Sequence, residues 1–167
     1  ISPEIAAIDN QFTKAINASK FKDELLSKFG KHFFDLISME LKSFDPKLVD
    51  LMKQENELVN EYRSLLAGAE IEFNGKTLNL AGLSPYMQDI NRKIRKKAYK
   101  FLDGFFKDNE EKLDIIFDKL VKVRHKKAQV LNFDNFIPLG YLNMNRSDYG
   151  AKEVAEYRKQ IVKHIVP

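Results

Sequence analysis

The three histidines are the residues of this chain best suited to bind a metal or to move a proton near neutral pH. They are His32, His125 and His164 of 167 residues. None is followed by glutamate or has a second histidine four residues on, as a helical zinc site requires. The chain also has no cysteine, no glycine-rich phosphate loop and no serine at the centre of a nucleophile turn. The sequence therefore predicts neither a catalytic centre nor a metal site among these residues.

Two basic clusters are the next candidates, because clustered Lys and Arg on one face can bind phosphates. They are "NRKIRKKAYK" at 91–100 and "KLVKVRHKKAQ" at 119–129. Acidic residues precede each cluster, and each lies in a stretch that also carries an apolar helical face. The solvated surface of a soluble helix explains this pattern better than nucleic-acid binding. We expect no nucleic-acid partner, and a basic nucleic-acid-binding helical domain remains an alternative.

The segment 132–149, "NFDNFIPLGYLNMNRSDY", differs from the rest of the chain because it is aromatic, apolar and poor in charge. It is predicted to be a connector loop whose apolar side chains dock on helices or on another part of the protein. Its polar residues are candidates to orient a peptide or a neighbouring strand at the boundary with another part of the protein. These candidates are Tyr141, Asn145, Arg146 and Tyr149. The alternative is a structural loop that docks two helices.

Long helices are expected to position these residues, because only 7 Gly and 5 Pro interrupt a chain that is 44% hydrophobic and 31% charged. Ser2-Pro3 and Asp45-Pro46 predict helix starts, and one helix is predicted from Ser19 past Ile37. Apolar residues alternate only at 70–80, "EIEFNGKTLNL", where Asn74-Gly75 suits the turn of a β-hairpin. A final helix is predicted at 150–166.

The fold class predicted from these patterns is all-α, a multi-helix array with one small β-hairpin, forming a single helical region over 1–167. No apolar run reaches the length needed to cross a bilayer, so no membrane partner is expected. The chain begins with Ile, and the apolar face of its last helix continues into the C-terminus. We therefore expect a fragment of a larger chain.

Two long stretches resemble the oligoendopeptidase F family, the relatives of thimet oligopeptidase. They are "EIEFNGKTLNLAGLSPYMQDINRKIRKKAYK" and "FDNFIPLGYLNMNRSDYGAKEVAEYRKQIVKHIVP", and the resemblance extends from about Ser19 to Pro167. It implies a cytoplasmic peptidase that cleaves short peptides inside a deep channel of a largely helical fold, with Tyr141, Asn145, Arg146 and Tyr149 as candidates for the channel wall. In that family a His-Glu-x-x-His helix and a later Glu hold zinc, and the Glu of the motif activates the zinc-bound water.

This chain contains no His-Glu-x-x-His, so the family's zinc ligands cannot be assigned to any residue here. The resemblance implies that they lie further towards the C-terminus of the parent enzyme. We expect an upstream helical part that binds no zinc and is inactive alone, with peptide substrates and the downstream catalytic part as partners. The alternative is a freestanding helical interaction module. An upstream part of a peptidase should have an exposed apolar patch where the rest of the enzyme docks, whereas a freestanding module should have a fully covered apolar core.

Overall fold

A computed structural model describes residues 3–166, so Ser2, the expected N-cap of the first helix, lies outside the described part. Within that range the all-α class with one small hairpin is confirmed. The elements are α1 Pro3–Asn17, α2 Lys22–Phe29, α3 Lys31–Ser43, a 3-10 turn Pro46–Leu48, α4 Val49–Ala67, β1 Ile71–Phe73, β2 Lys76–Leu78, α5 Leu80–Met87, α6 Arg92–Asp108, α7 Glu110–Val130, α8 Phe136–Asn143 and α9 Ala151–His164.

The chain divides into two compact units. The terminal unit comprises residues 1–53 and 124–167, and the hairpin unit comprises residues 54–123. The sequence predicts one helical region over 1–167, and periodicity carries no information on which helices share a core. Among residues 3–166, no helix has the length and the apolar composition needed to cross a membrane.

The prediction of one helix from Ser19 past Ile37 is wrong, because the chain breaks at Gly30. Gly30 has φ +82° and ψ 168°, a backbone region that is essentially restricted to glycine. Its N–H donates to the Leu26 carbonyl at 2.9 Å and ends α2. α3 then begins at Lys31, and it packs against both α1 and α8 in the terminal unit.

The predicted connector loop 132–149 contains a helix, α8, so the prediction of a segment without one is wrong. The Asn135 side chain caps α8 by accepting a hydrogen bond from the Ile137 N–H at 2.9 Å. Pro138 lies in the first turn, where a missing N–H removes no helical bond. Asn145, with φ +53°, follows the helix end. Leu139 is fully buried, and α8 packs on α3.

The hairpin predicted at 70–80 is confirmed. β1 pairs antiparallel with β2, and Asn74 and Gly75 form the two-residue turn with φ of 51° and 77°. Phe73 is completely buried, and its ring contacts those of Tyr86 and Phe101 with centroids 4.8 and 5.6 Å away. This packing on α5 and α6 stabilises a hairpin that would be marginal alone.

Candidate functional site

Three of the four predicted site residues lie together: the rings of Tyr141 and Tyr149 contact the guanidinium of Arg146. The Arg146 guanidinium lies 5.1 Å from the ring centroid of Tyr141 and 5.3 Å from that of Tyr149. Both distances are in the cation–π range. Arg146 is half-buried, and no carboxylate among the described residues forms an ion pair with it. The arrangement, here called the arginine clamp (Tyr141, Arg146 and Tyr149), holds a planar cation that can still bind an anion.

A cavity of about 450 Å³ adjoins the arginine clamp at the start of α9. Arg146, Tyr149, Glu153, Val154 and Tyr157 line it. The Glu153 carboxylate accepts a hydrogen bond from the Gly150 N–H at 2.8 Å and so caps α9. Hydrogen bonds from the backbone N–H groups of Gly150 and of Glu153 itself lower the pKa of that carboxyl. Glu153 is therefore ionised and bonded to its own helix end, without neutralising Arg146.

The loop after α8 is also attached to α3. Ser147 Oγ lies 3.2 Å from His32 Nδ1 and donates to Asp148 Oδ1 at 3.1 Å. Ser147 thus lies between the His32 ring of α3 and the Asp148 carboxylate of its own loop. Lys31 pairs with Asp35 at 2.7 Å, and this contact raises the pKa of Lys31, with a smaller contribution from Asp148. These contacts position the loop against α3.

Asn145 does not join the arginine clamp. Its left-handed backbone turns the chain after α8, and its side chain is exposed. The sequence analysis named neither Tyr157 nor Glu153 as a lining residue. The i, i+4 spacing of these two residues, on the face of α9 that continues from Tyr149, is the signal that indicates both.

Zinc does not fit the residues present. In the described range no group of three His, Cys, Asp or Glu side chains is arranged to hold a metal ion. The three histidines lie in α3, in α7 and at the end of α9. No step involving a metal can therefore be assigned to these residues.

The sequence and the fold are similar to those of known peptidases. The Peptidase M3 N-terminal domain family matches residues 1–44. PZ peptidase A with inhibitor 2 is 43% identical, with a TM-score of 0.93 over 99% of this chain. A protein designated oligoendopeptidase F from Bacillus anthracis str. Ames is 42% identical, with the same TM-score over 100% of this chain. A further oligoendopeptidase F structure is 40% identical. No curated protein matches the chain.

These likenesses show that the fold of this chain is that of a helical segment found in peptidase structures. The whole chain corresponds to a helical part of the oligoendopeptidase fold, and the match to the M3 N-terminal domain family lies in residues 1–44. It spans 29–31% of the solved chains that it matches.

Proposed function

We propose that the complete polypeptide is a zinc-dependent oligoendopeptidase that hydrolyses short peptides, and that this chain is its upstream helical part. The observation that carries the proposal is the similarity of the whole chain to oligoendopeptidase structures at 40–43% identity. A likeness at this identity that runs through both units supports a common activity of the complete proteins.

The catalytic zinc belongs, in this proposal, to residues outside this chain. The absence of His-Glu-x-x-His from the sequence and of a three-ligand group from the described residues supports that assignment. The chain alone then hydrolyses no peptide, since no group among residues 3–166 is arranged to hold a metal that would activate a water molecule.

The arginine clamp is the proposed contribution of this chain to substrate binding. A guanidinium presents a planar set of donors that matches a carboxylate, and such charge-assisted hydrogen bonds are strong. Arg146 is free of carboxylates in the described residues and lies beside a cavity. It therefore suits the C-terminal carboxylate or an acidic side chain of a peptide. Asn145 remains a weaker candidate for the same channel.

The exposed apolar face of α1 is the proposed contact with the rest of the enzyme. Ile5, Ile8 and Phe12 are 52%, 65% and 68% exposed, whereas the buried residues of α1 include the polar Asn10 and Thr13. A helix that turns its apolar face to water needs a cover. Because this chain spans only 29–31% of its solved relatives, the remainder of the same polypeptide supplies enough surface for one.

Hydrolysis of an internally quenched nonapeptide tests the proposal. We expect the complete polypeptide to cut it, a chelator to stop the reaction and added zinc to restore it, while the isolated 167-residue chain stays inactive. A folded protein substrate serves as the control and should stay intact. An inactive complete polypeptide, or chelator-sensitive hydrolysis by the isolated chain, would contradict the proposal. The cytoplasmic location is part of the same proposal, and cell fractionation tests it.

A further inference from the structure

The hairpin unit contains a second, larger cavity, remote in sequence from the arginine clamp. Its volume is about 750 Å³, and it lies between β1 and α6. Glu70, Ile71 and Glu72 line it on the strand side, and Phe101, Gly104 and Phe105 on the helix side. We call it the strand-edge groove.

The backbone of β1 has free hydrogen-bonding groups along this groove. In a hairpin with a two-residue turn, the residues flanking the turn exchange hydrogen bonds, and the next pair does not. Phe73 and Lys76 flank the turn, so Glu72 and Thr77 form the next pair. The N–H and C=O of Glu72 therefore point away from β2, on the groove side. No residue in the described range makes a backbone hydrogen bond to them.

Gly104 is an independent indication that the backbone of a bound ligand approaches α6 closely. It lies within α6, where glycine is a poor helix former compared with alanine. Neighbouring atoms do not require glycine there, because a Cβ built on Gly104 meets nothing within 4 Å. The open space lies at the groove, opposite the free edge of β1. Glycine at such a position permits close approach of another backbone.

The charged lining of the groove favours a ligand that binds transiently. Lys100, Lys112, Glu70 and Asp108 line it and are all exposed. Lys97 is held separately, because it donates to Asn74 Oδ1 at 2.9 Å. Permanent interfaces within a protein are more apolar than this, and charged linings are typical of transient contacts.

We propose that a peptide in extended conformation binds in the strand-edge groove by adding a strand to β1, with its backbone passing over Gly104. Strand addition is a general mode of peptide recognition that depends on main-chain hydrogen bonds. The proposal deepens the proposed function and depends on it for the source of the peptide, which is a substrate of the same enzyme. The groove then holds a part of that substrate through its backbone, with little dependence on sequence.

Peptide binding to the complete polypeptide tests the groove. The probe is fluorescein-labelled Thr-Val-Thr-Val-Thr-Val-Thr amide, followed by fluorescence anisotropy with a chelator present, and mass spectrometry checks that it stays intact. Gly104→Leu fills the groove and should weaken binding at least tenfold. Asp103→Leu changes an exposed neighbour on α6 that does not line the groove, and it should bind within twofold of the wild type. Circular dichroism verifies that both variants fold.

A second probe tests the hydrogen bonds of the added strand. The same peptide, N-methylated at every residue, has no N–H donors along either edge and should lose binding to the wild type. Equal binding of the N-methylated peptide, unchanged binding by Gly104→Leu, or no binding by the wild type would each overturn the proposal. The last result is expected if another segment of the polypeptide fills the groove.

Hydrolysis of the quenched nonapeptide without chelator separates this proposal from the proposed function. Hydrolysis without groove binding overturns the groove alone. Groove binding without hydrolysis supports strand addition and overturns the peptidase assignment.

Discussion

Arg146 is the residue on which the proposed substrate contact depends. In the complete polypeptide, Arg146→Gln should raise KM for peptides with a free C-terminal carboxylate about tenfold or more, since a hydrogen bond to a charged group contributes roughly 1.5–3 kcal/mol. The kcat should stay unchanged, because the proposed contact binds the substrate and takes no part in bond cleavage. Steady-state kinetics on paired free-acid and amidated peptides measures both quantities.

The matched control for Arg146 is Arg158→Gln. Arg158 is an exposed arginine of α9 that does not line the cavity. It should leave KM unchanged. If Arg146→Gln also leaves KM for the free-acid peptide unchanged, the arginine clamp is only a structural link between α8 and α9.

Glu153 makes the start of α9 sensitive to pH. Its pKa is lowered in the folded state, so its stabilising contribution is present above the unfolded pKa and is lost as pH falls through the lower folded value. Amide protection in the first turn of α9 should therefore decrease as pH falls below about 4, the ordinary range for glutamate. Hydrogen exchange between pH 3 and 6 should show this in the wild type. Protection that responds to pH equally in Glu153→Gln would contradict this role.

Gly30 decides where one helix becomes two. Gly30→Ala should destabilise the folded chain by about 1–3 kcal/mol, because its backbone conformation is strained for any residue with a Cβ. The space itself is open, since a Cβ on Gly30 meets no atom within 4 Å. Gly104→Ala is the control, and there we expect a gain of about 0.5–1 kcal/mol. Urea unfolding measures both, and an unchanged midpoint for Gly30→Ala would show that α2 and α3 can merge.

Elements defined by neighbouring residues were predictable from the sequence. Asn74-Gly75 and the alternation around it suffice for the hairpin, because a two-residue turn fixes its own register. The break at Gly30 and the helix α8 were missed. One glycine in an apolar periodic stretch was outweighed by that periodicity, and Pro138 with Gly140 concealed a short helix that starts at a capping Asn135.

Features formed by residues that are distant in the sequence but close in the fold were less predictable. Tyr141, Arg146 and Tyr149 were site candidates because they are polar side chains in an otherwise apolar segment. Their meeting depends on the turn at Asn145 and on the contacts of the loop with α3. The strand-edge groove was not predicted, since it requires residues of β1 and α6 to face one another across a gap that periodicity does not describe.

At the scale of the whole molecule, the exposed apolar face of α1 should govern the behaviour of the isolated chain. We expect the 167-residue chain to self-associate, and Ile8→Gln with Phe12→Gln to reduce this association. Sedimentation velocity measures it. The control is Ile90→Gln, which changes a single residue that is 99% exposed outside this face. A monodisperse wild-type chain would favour the freestanding interaction module.

The zinc content of the complete polypeptide and of the isolated chain shows directly which part of the protein holds the catalytic metal. Zinc content per chain should be measured by mass spectrometry of the metal, after dialysis, in the complete polypeptide and in the isolated 167-residue chain. We expect about one zinc per complete polypeptide and none in the isolated chain, because the described residues offer no three-ligand group. Stoichiometric zinc in the isolated chain, or none in the complete polypeptide, would contradict the account.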